Sequence, residues 1–201
     1  MYDALIIGGG ASGMSCALVL GSAMNKPFCE GKKVGIIMHQ KASHLQDAKF
    51  YNALGLHPGT KGEDILSEGK NHLKEIYPEV DQIYSEKVLG IDFLEDEKMK
   101  VITNKSAYIS KMVVIAVGYT NTLHITGLES YVIPHKKSKP SKNRIQLINN
   151  DHLIREGLYV AGTLAGWRSQ FAIAAGSGAS VATDILTLWN NGEHVKIHDK
   201  T

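Results

Sequence analysis

Cysteine is scarce in this 201-residue chain: Cys16 and Cys29 are its only two, and they form neither a C-x-x-C pair nor part of a metal-ligand cluster. That excludes a disulfide-stapled scaffold and a thiolate metal site, and leaves two plain free thiols, one inside a helix pattern and one in a loop. An excess of one charge is missing too, since a net charge of +2 is too small for a general nucleic-acid partner. No apolar run reads as long enough to span a bilayer. The first apolar stretch begins so close to Met1 that a signal or transit peptide has no room, so the expectation is a cytoplasmic protein. There is no internal repeat and no low-complexity linker. With 43% apolar and 21% charged residues the composition is that of a soluble globular protein, and the length suits one domain rather than two.

What the sequence does have is concentrated in residues 2–24. The apolar run Ala4-Leu5-Ile6-Ile7 has the length and branching of a buried strand and stops at Gly8-Gly9-Gly10-Ala11-Ser12-Gly13. Met14, Ala17, Leu18 and Gly21 then fall at helical spacing. Gly8, Gly10 and Gly13 form a G-x-G-x-x-G fingerprint in strand-turn-helix context. The first glycine permits the tight turn, the second lets a pyrophosphate approach the backbone, and the third lets the helix lie close to its strand. The N–H groups and positive dipole end of the helix would face the phosphates. The pattern points to a dinucleotide without separating FAD from NAD.

Val34 to Met38 reads as the second strand, parallel to the first. Such strands often end in an acidic residue that binds the adenosine ribose. Here Met38, His39 and Gln40 stand at that place, so either His39 or Gln40 takes over the contact or the contact is lost. Thr60-Lys61-Gly62-Glu63 has the form of a capping box opening a helix that ends at Pro78. Segments 82–85, 88–93, 99–103 and 107–110 predict a small antiparallel meander, and Met112 to Gly118 a further buried parallel strand. Gly118 would let the chain turn beside a ligand. Lys136, Lys137, Lys139 and Lys142 make a basic loop around Pro134 and Pro140, read as a solvated loop rather than an anion or acidic-partner site. Arg144 to Leu147 and Gly157 to Gly162 read as strands, and a helix starts near Ser169 and runs toward Trp189.

Three separated segments together carry a family resemblance: Leu5 to Gly13, Val114 to Gly118, and Gly157 to Thr163 continued by Ser169 to Gly178. They resemble the opening, the "ATG" strand and the closing FAD segment of the FAD-dependent pyridine nucleotide-disulfide oxidoreductases, in their thioredoxin reductase-like branch. Tyr51-Asn52 to Gly55, with the helix after it, also looks like that branch's flavin-side asparagine and following helix. The resemblance implies an α/β fold: a single FAD/NAD(P)-binding Rossmann-like domain over residues 1–201, its central parallel sheet flanked by helices on both faces and carrying a small antiparallel β-meander. Residues 1–118 would hold the fingerprint and the meander, and residues 144–201 the closing segment and last helix. Gly8, Gly10, Ala11, Ser12 and Gly13 would hold the pyrophosphate of FAD, with Met38, His39, Gln40 and Val88 as further cofactor contacts. Gly118 would pass close to the cofactor, and Gly162-Thr163 would meet its ribityl-phosphate end. Asn52 and Ser169-Gln170-Phe171 would lie at the isoalloxazine, where a positive helix end stabilises the charge that develops on reduction.

The chain departs from that family pattern in three respects. Only about 25 residues join Gly118 to Arg144, where the reductases carry an NAD(P)H domain, and their redox-active C-x-x-C is absent with it. Thr163 stands where Asp is usual, and Val117 where Thr is common. The implied activity is an FAD-dependent oxidoreduction with unknown catalytic residues, no metal, and an unidentified donor: NAD(P)H acting from outside, a redox partner protein, or a small-molecule substrate. A homodimer is the expected assembly. Two other readings stay open: a non-catalytic dinucleotide-binding sensor or interaction module, and a fingerprint that holds NAD.

Overall fold

The computed structural model describes residues 1–39 and 45–197. The first unit is strand β1 (Tyr2–Ile7), helix α1 (Ala11–Ser22) and strand β2 (Val34–Met38), followed by the short strands β3 (Lys49–Phe50) and β4 (Thr60–Lys61) and by helix α2 (Gly62–Ile76). Then come β5 (Asp81–Tyr84), β6 (Val88–Phe93), β7 (Met99–Thr103) and β8 (Ala107–Ile115). The last part holds β9 (Val132–Pro134), β10 (Ile145–Leu147), β11 (Leu153–Arg155), β12 (Leu158–Val160) and helix α3 (Phe171–Trp189).

Every residue of β1 and β2 is buried, which is why these strands read as unbroken apolar runs rather than as alternating patterns. They lie in an eight-stranded sheet whose main path is β11-β12-β8-β1-β2-β5. The pairs β12·β8, β8·β1, β1·β2 and β2·β5 are parallel, and β11 adds an antiparallel edge. Side chains that alternate along β1 feed two cores. Ala4 and Ile6 join Leu20, Leu73, Val181 and Ile185 on the face covered by the three helices. Leu5 and Ile7 join Val101, Ile125, Leu128 and Leu164 on the opposite face, under the β6-β7 hairpin and short 3₁₀ turns. Helix α1 crosses α3 at backbone distance: a Cβ on Gly178 would lie 1.8 Å from the Ser12 carbonyl oxygen.

Several expectations change once strands choose partners. Segment 82–85 belongs to β5, a parallel neighbour of β2, and not to the meander. The fourth meander segment and the next buried strand are one element, β8, which pairs antiparallel with β7 and parallel with β1. The polar pair Ser110-Lys111 does not interrupt it: the Ser110 hydroxyl donates to the Met112 carbonyl at 2.6 Å, and Lys111 reaches Asp3 at 3.0 Å. No capping box forms at α2, whose N-cap is Lys61; the Thr60 hydroxyl donates instead to the His57 carbonyl. Cys29 ends a short 3₁₀ turn within the link from α1 to β2 and is itself buried, and both cysteines are free thiols. Helix α3 is long and apolar enough to cross a membrane, contrary to the sequence expectation, yet Val181, Ala182, Ile185 and Leu186 on it are fully buried in the core.

Candidate functional site

At the carboxyl ends of the parallel strands lies a cavity of about 490 Å³. It runs along the turn between β1 and α1. Gly8 has φ +113°, and a Cβ there would sit 2.6 Å from the Ala116 carbonyl oxygen, so only glycine fits where β1 and β8 deliver the chain together. The Gly8 N–H donates to the Ile37 carbonyl at 2.9 Å, and the Ala116 N–H to the Ile7 carbonyl at 2.8 Å, which holds the three strand ends level. Gly10 is the N-cap of α1; no side chain caps it, and the first turn carries no acidic residue. The positive end of a 12-residue helix therefore faces the cavity without an internal counter-charge.

Gly8, Gly10, Ala11, Ser12, His39, Val88, Gly118, Thr163, Ser169, Gln170 and Phe171 all line this one cavity. Four expected contacts do not. Gly13 is buried under Gly8, where a Cβ would lie 1.8 Å from the Gly8 carbonyl, so its part is packing. Met38 is buried in the helix-face core. Gly162 is buried, with φ +74°, and would meet the Ser12 hydroxyl if it carried a Cβ. Asn52 is exposed in the turn after β3 and does not line the cavity; Phe50, two residues earlier, does, and its ring lies 5.2 Å from that of Phe171. Gln40 lies outside the described residues.

Thr163, which stands where the family resemblance leads us to expect Asp, accepts a hydrogen bond from the Tyr119 N–H at 3.0 Å. Its hydroxyl thus ties the closing segment to the chain leaving β8, in place of a carboxylate's charge. The same turn is fixed from behind by a buried chain of hydrogen bonds. The Gly162 N–H donates to the Ser177 Oγ at 2.7 Å, and the Ser177 hydroxyl lies 2.8 Å from His152 Nε2, which also accepts from the Trp167 indole N–H at 3.0 Å. Nε2 is therefore the unprotonated nitrogen, and the proton sits on Nδ1, which has no hydrogen-bond partner and lies 3.6 Å from Asp151. Burial pushes the His152 imidazole below its ordinary range, against the opposing pull of the Asp151 and Asp184 carboxylates.

Sequence reasoning missed Glu86, Phe50 and Tyr119 in the cavity wall. Glu86 is a buried carboxylate that accepts from the Thr103 hydroxyl at 2.6 Å and the Tyr108 hydroxyl at 2.9 Å. Its sole sequence signal is its place in the short link between β5 and β6. Among the described residues no group of three or more His, Cys, Asp or Glu could hold a metal ion.

The model of the pyridine nucleotide-disulphide oxidoreductase family matches residues 2–174, and the chain belongs to that family. Its fold is that of the thioredoxin reductases. A thioredoxin reductase from Gloeobacter violaceus superposes with a TM-score of 0.73 at 15% identity, over 100% of this chain and 98% of that one. A putative thioredoxin reductase from Bacillus anthracis gives 0.71 at 13% identity, over 95% and 99%. A ferredoxin-flavin thioredoxin reductase from Clostridium acetobutylicum gives 0.67 at 16% identity, over 94% and 98%. No curated protein matches the sequence.

Proposed function

We propose that the protein is an FAD-dependent oxidoreductase whose electron donor comes from outside the chain. The observation that carries this reading is the cavity built on Gly8 to Ser12, where strand ends, an uncapped helix start and missing Cβ atoms leave room for a diphosphate against backbone. The residues present fit FAD. Gly10, Ala11 and Ser12 would hold the pyrophosphate, His39 and Val88 the adenosine end, and Thr163, Ser169 and Gln170 the ribityl and ring end. Bound there, FAD would supply two-electron chemistry, while the chain orients it and excludes water from the face under Phe50 and Phe171. Residues 119–144 form a 3₁₀ turn, one short strand and a second 3₁₀ turn, with no second nucleotide-binding unit. Reducing equivalents would thus come from free NAD(P)H or from a redox partner protein, and the ferredoxin-flavin enzyme among the similar folds supports the second route. The burial of both thiols argues against a disulfide relay through this chain.

The reading as a cytoplasmic protein is supported by the unpaired thiols and by the burial of the inner face of α3. A homodimer is our assembly reading, and light scattering that finds a monomer at working concentration would reject it. A binding module without turnover is favoured by one observation, the commitment of the Thr163 hydroxyl to Tyr119.

The first experiment is the visible absorption spectrum of the purified protein with and without added FAD, followed by anaerobic addition of NADH or NADPH. A flavin spectrum shifted from that of free FAD is expected. A colourless protein that retains no FAD would overturn the proposal, and bound flavin that no donor reduces would favour the module.

A further inference from the structure

Five cationic side chains, Lys136, Lys137, Lys139, Lys142 and Arg144, fall within nine residues, and no Asp or Glu lies between Glu129 and Asp151. Because the whole chain carries only +2, the rest of it is net acidic. The four lysines are exposed, and among the described residues none has a carboxylate within ion-pair distance. This cluster is no loose tail. It caps the β9-β10 hairpin, whose base is fastened to the cavity wall: the His135 Nε2–H donates to the Thr163 carbonyl at 3.1 Å, and the Lys136 N–H to the buried Gln146 side chain at 2.8 Å. Arg144 donates to the Tyr119 carbonyl at 3.3 Å and lies 4.8 Å from that ring's centre.

Beside the lysines stands Trp167, 38% exposed and held between the cavity residues Thr163 and Ser169. Its indole N–H is fixed by His152, its ring stacks on that imidazole, and the Lys137 ammonium lies 4.4 Å above it. Arg168 adds a further exposed cation next to it. A half-exposed tryptophan fixed by His152, with the Lys137 ammonium over its ring and Arg168 next to it in the chain, has the anatomy of a protein-docking centre: an aromatic anchor that needs little ordering, with charges near it that steer an oppositely charged face.

We propose that the hairpin Lys136 to Arg144, together with Trp167, docks the acidic face of a small electron-carrier protein at the mouth of the cavity. Choosing an electron carrier as the occupant rests on the flavin reading above, while the acidic face rests on the charges alone. A single compact hairpin on a nearly neutral chain suits a protein face better than the extended contact a nucleic acid or a membrane makes.

The test uses an acidic [2Fe–2S] ferredoxin as probe, with its affinity measured by biolayer interferometry on the full chain. A DNA duplex and vesicles containing one-third phosphatidylserine serve as competing polyanions. Ferredoxin binding is expected to weaken by about tenfold or more from 50 to 300 mM NaCl, as long-range charge pairing requires. The variant K136E/K137E/K139E/K142E should lose roughly thirtyfold or more at low salt, and W167A about fivefold at any salt. Thermal melting and FAD fluorescence titration check that the lysine variant is folded and keeps its cavity. No ferredoxin binding, equal binding by the lysine variant, or tighter binding of the duplex or the vesicles than of ferredoxin would overturn the proposal. Charge-dependent ferredoxin binding by a protein that holds no FAD would sustain the docking surface while removing the flavin reading.

Discussion

The close crossing of α3 over α1 allows a paired prediction on one helix. In Gly178→Ala the new methyl would lie 1.8 Å from the Ser12 carbonyl oxygen, 2.7 Å from its carbon and 2.9 Å from its Cα. All three are backbone atoms, so no flexible side chain can swing away. Restoring ordinary contact requires the helices to part by roughly 1.5 Å. Helix α1 cannot retreat freely, because Gly13 already lies against Gly8 on its other side. Overpacking of this kind costs about 1–3 kcal/mol or more, and alanine's better helix propensity returns only about 0.5–1 kcal/mol. A net loss near 2 kcal/mol lowers the melting temperature of a domain this size by about 4–8 °C. Gly176, two residues earlier on the same helix, is exposed and would meet nothing within 4 Å. Gly176→Ala is therefore expected to be neutral or to stabilise by about 0.4–1 kcal/mol. Thermal unfolding followed by far-ultraviolet circular dichroism measures both. FAD titration should show weaker binding for Gly178→Ala alone, since Ser12 lines the cavity. If Gly178→Ala melts with the wild type, or if both variants fall equally, the close-crossing argument is wrong.

Three further outcomes follow from buried groups. Glu86→Ala removes the acceptor of the Tyr108 hydroxyl and the nearer of two acceptors of the Thr103 hydroxyl, which keeps the Ser106 carbonyl at 3.0 Å, and should cost about 1–3 kcal/mol in urea unfolding; an unchanged midpoint would show that water replaces the carboxylate. His152 binds its proton less readily when folded than when unfolded, so its contribution is complete above about pH 6.5 and is lost as the pH falls through the lowered folded value. Urea midpoints of the wild type should therefore drop toward pH 5 more steeply than those of His152→Gln, and equal slopes would contradict this. The Cys16 thiol is pushed upward by burial, and burial raises Cys29 to about 11 against the opposing pull of Lys32. Ellman's reagent at pH 8 should thus label neither thiol in the native protein and both in denaturant, and fast native labelling would refute their burial.

The elements read correctly from the sequence are those whose signals are local. β1, the glycine turn and α1 are specified within about two dozen residues, because a buried strand, a turn that excludes Cβ atoms and a helix face each follow from the order of neighbouring side chains. β2, β12 and the body of α3 were legible for the same reason. Everything that depended on a distant partner was not. β5 joins β2 rather than the meander because its backbone finds an open parallel edge there. β8 runs unbroken through Ser110-Lys111 because Asp3, remote in sequence, receives the lysine. Phe50 enters the cavity wall because Phe171, at the start of α3, supplies the ring it packs against. Thr163 could be seen to lack a charge, but its bond to the Tyr119 N–H exists only where the ends of β8 and β12 meet. The lysine run is exposed, as a solvated loop would be, but its tie through His135 to the Thr163 carbonyl could not be read from the sequence. By itself the sequence determined the glycine turn between β1 and α1 and the family. Tertiary structure decided which side chains face the cavity, because cavity walls are assembled from strand ends and loops that meet only after the sheet has paired.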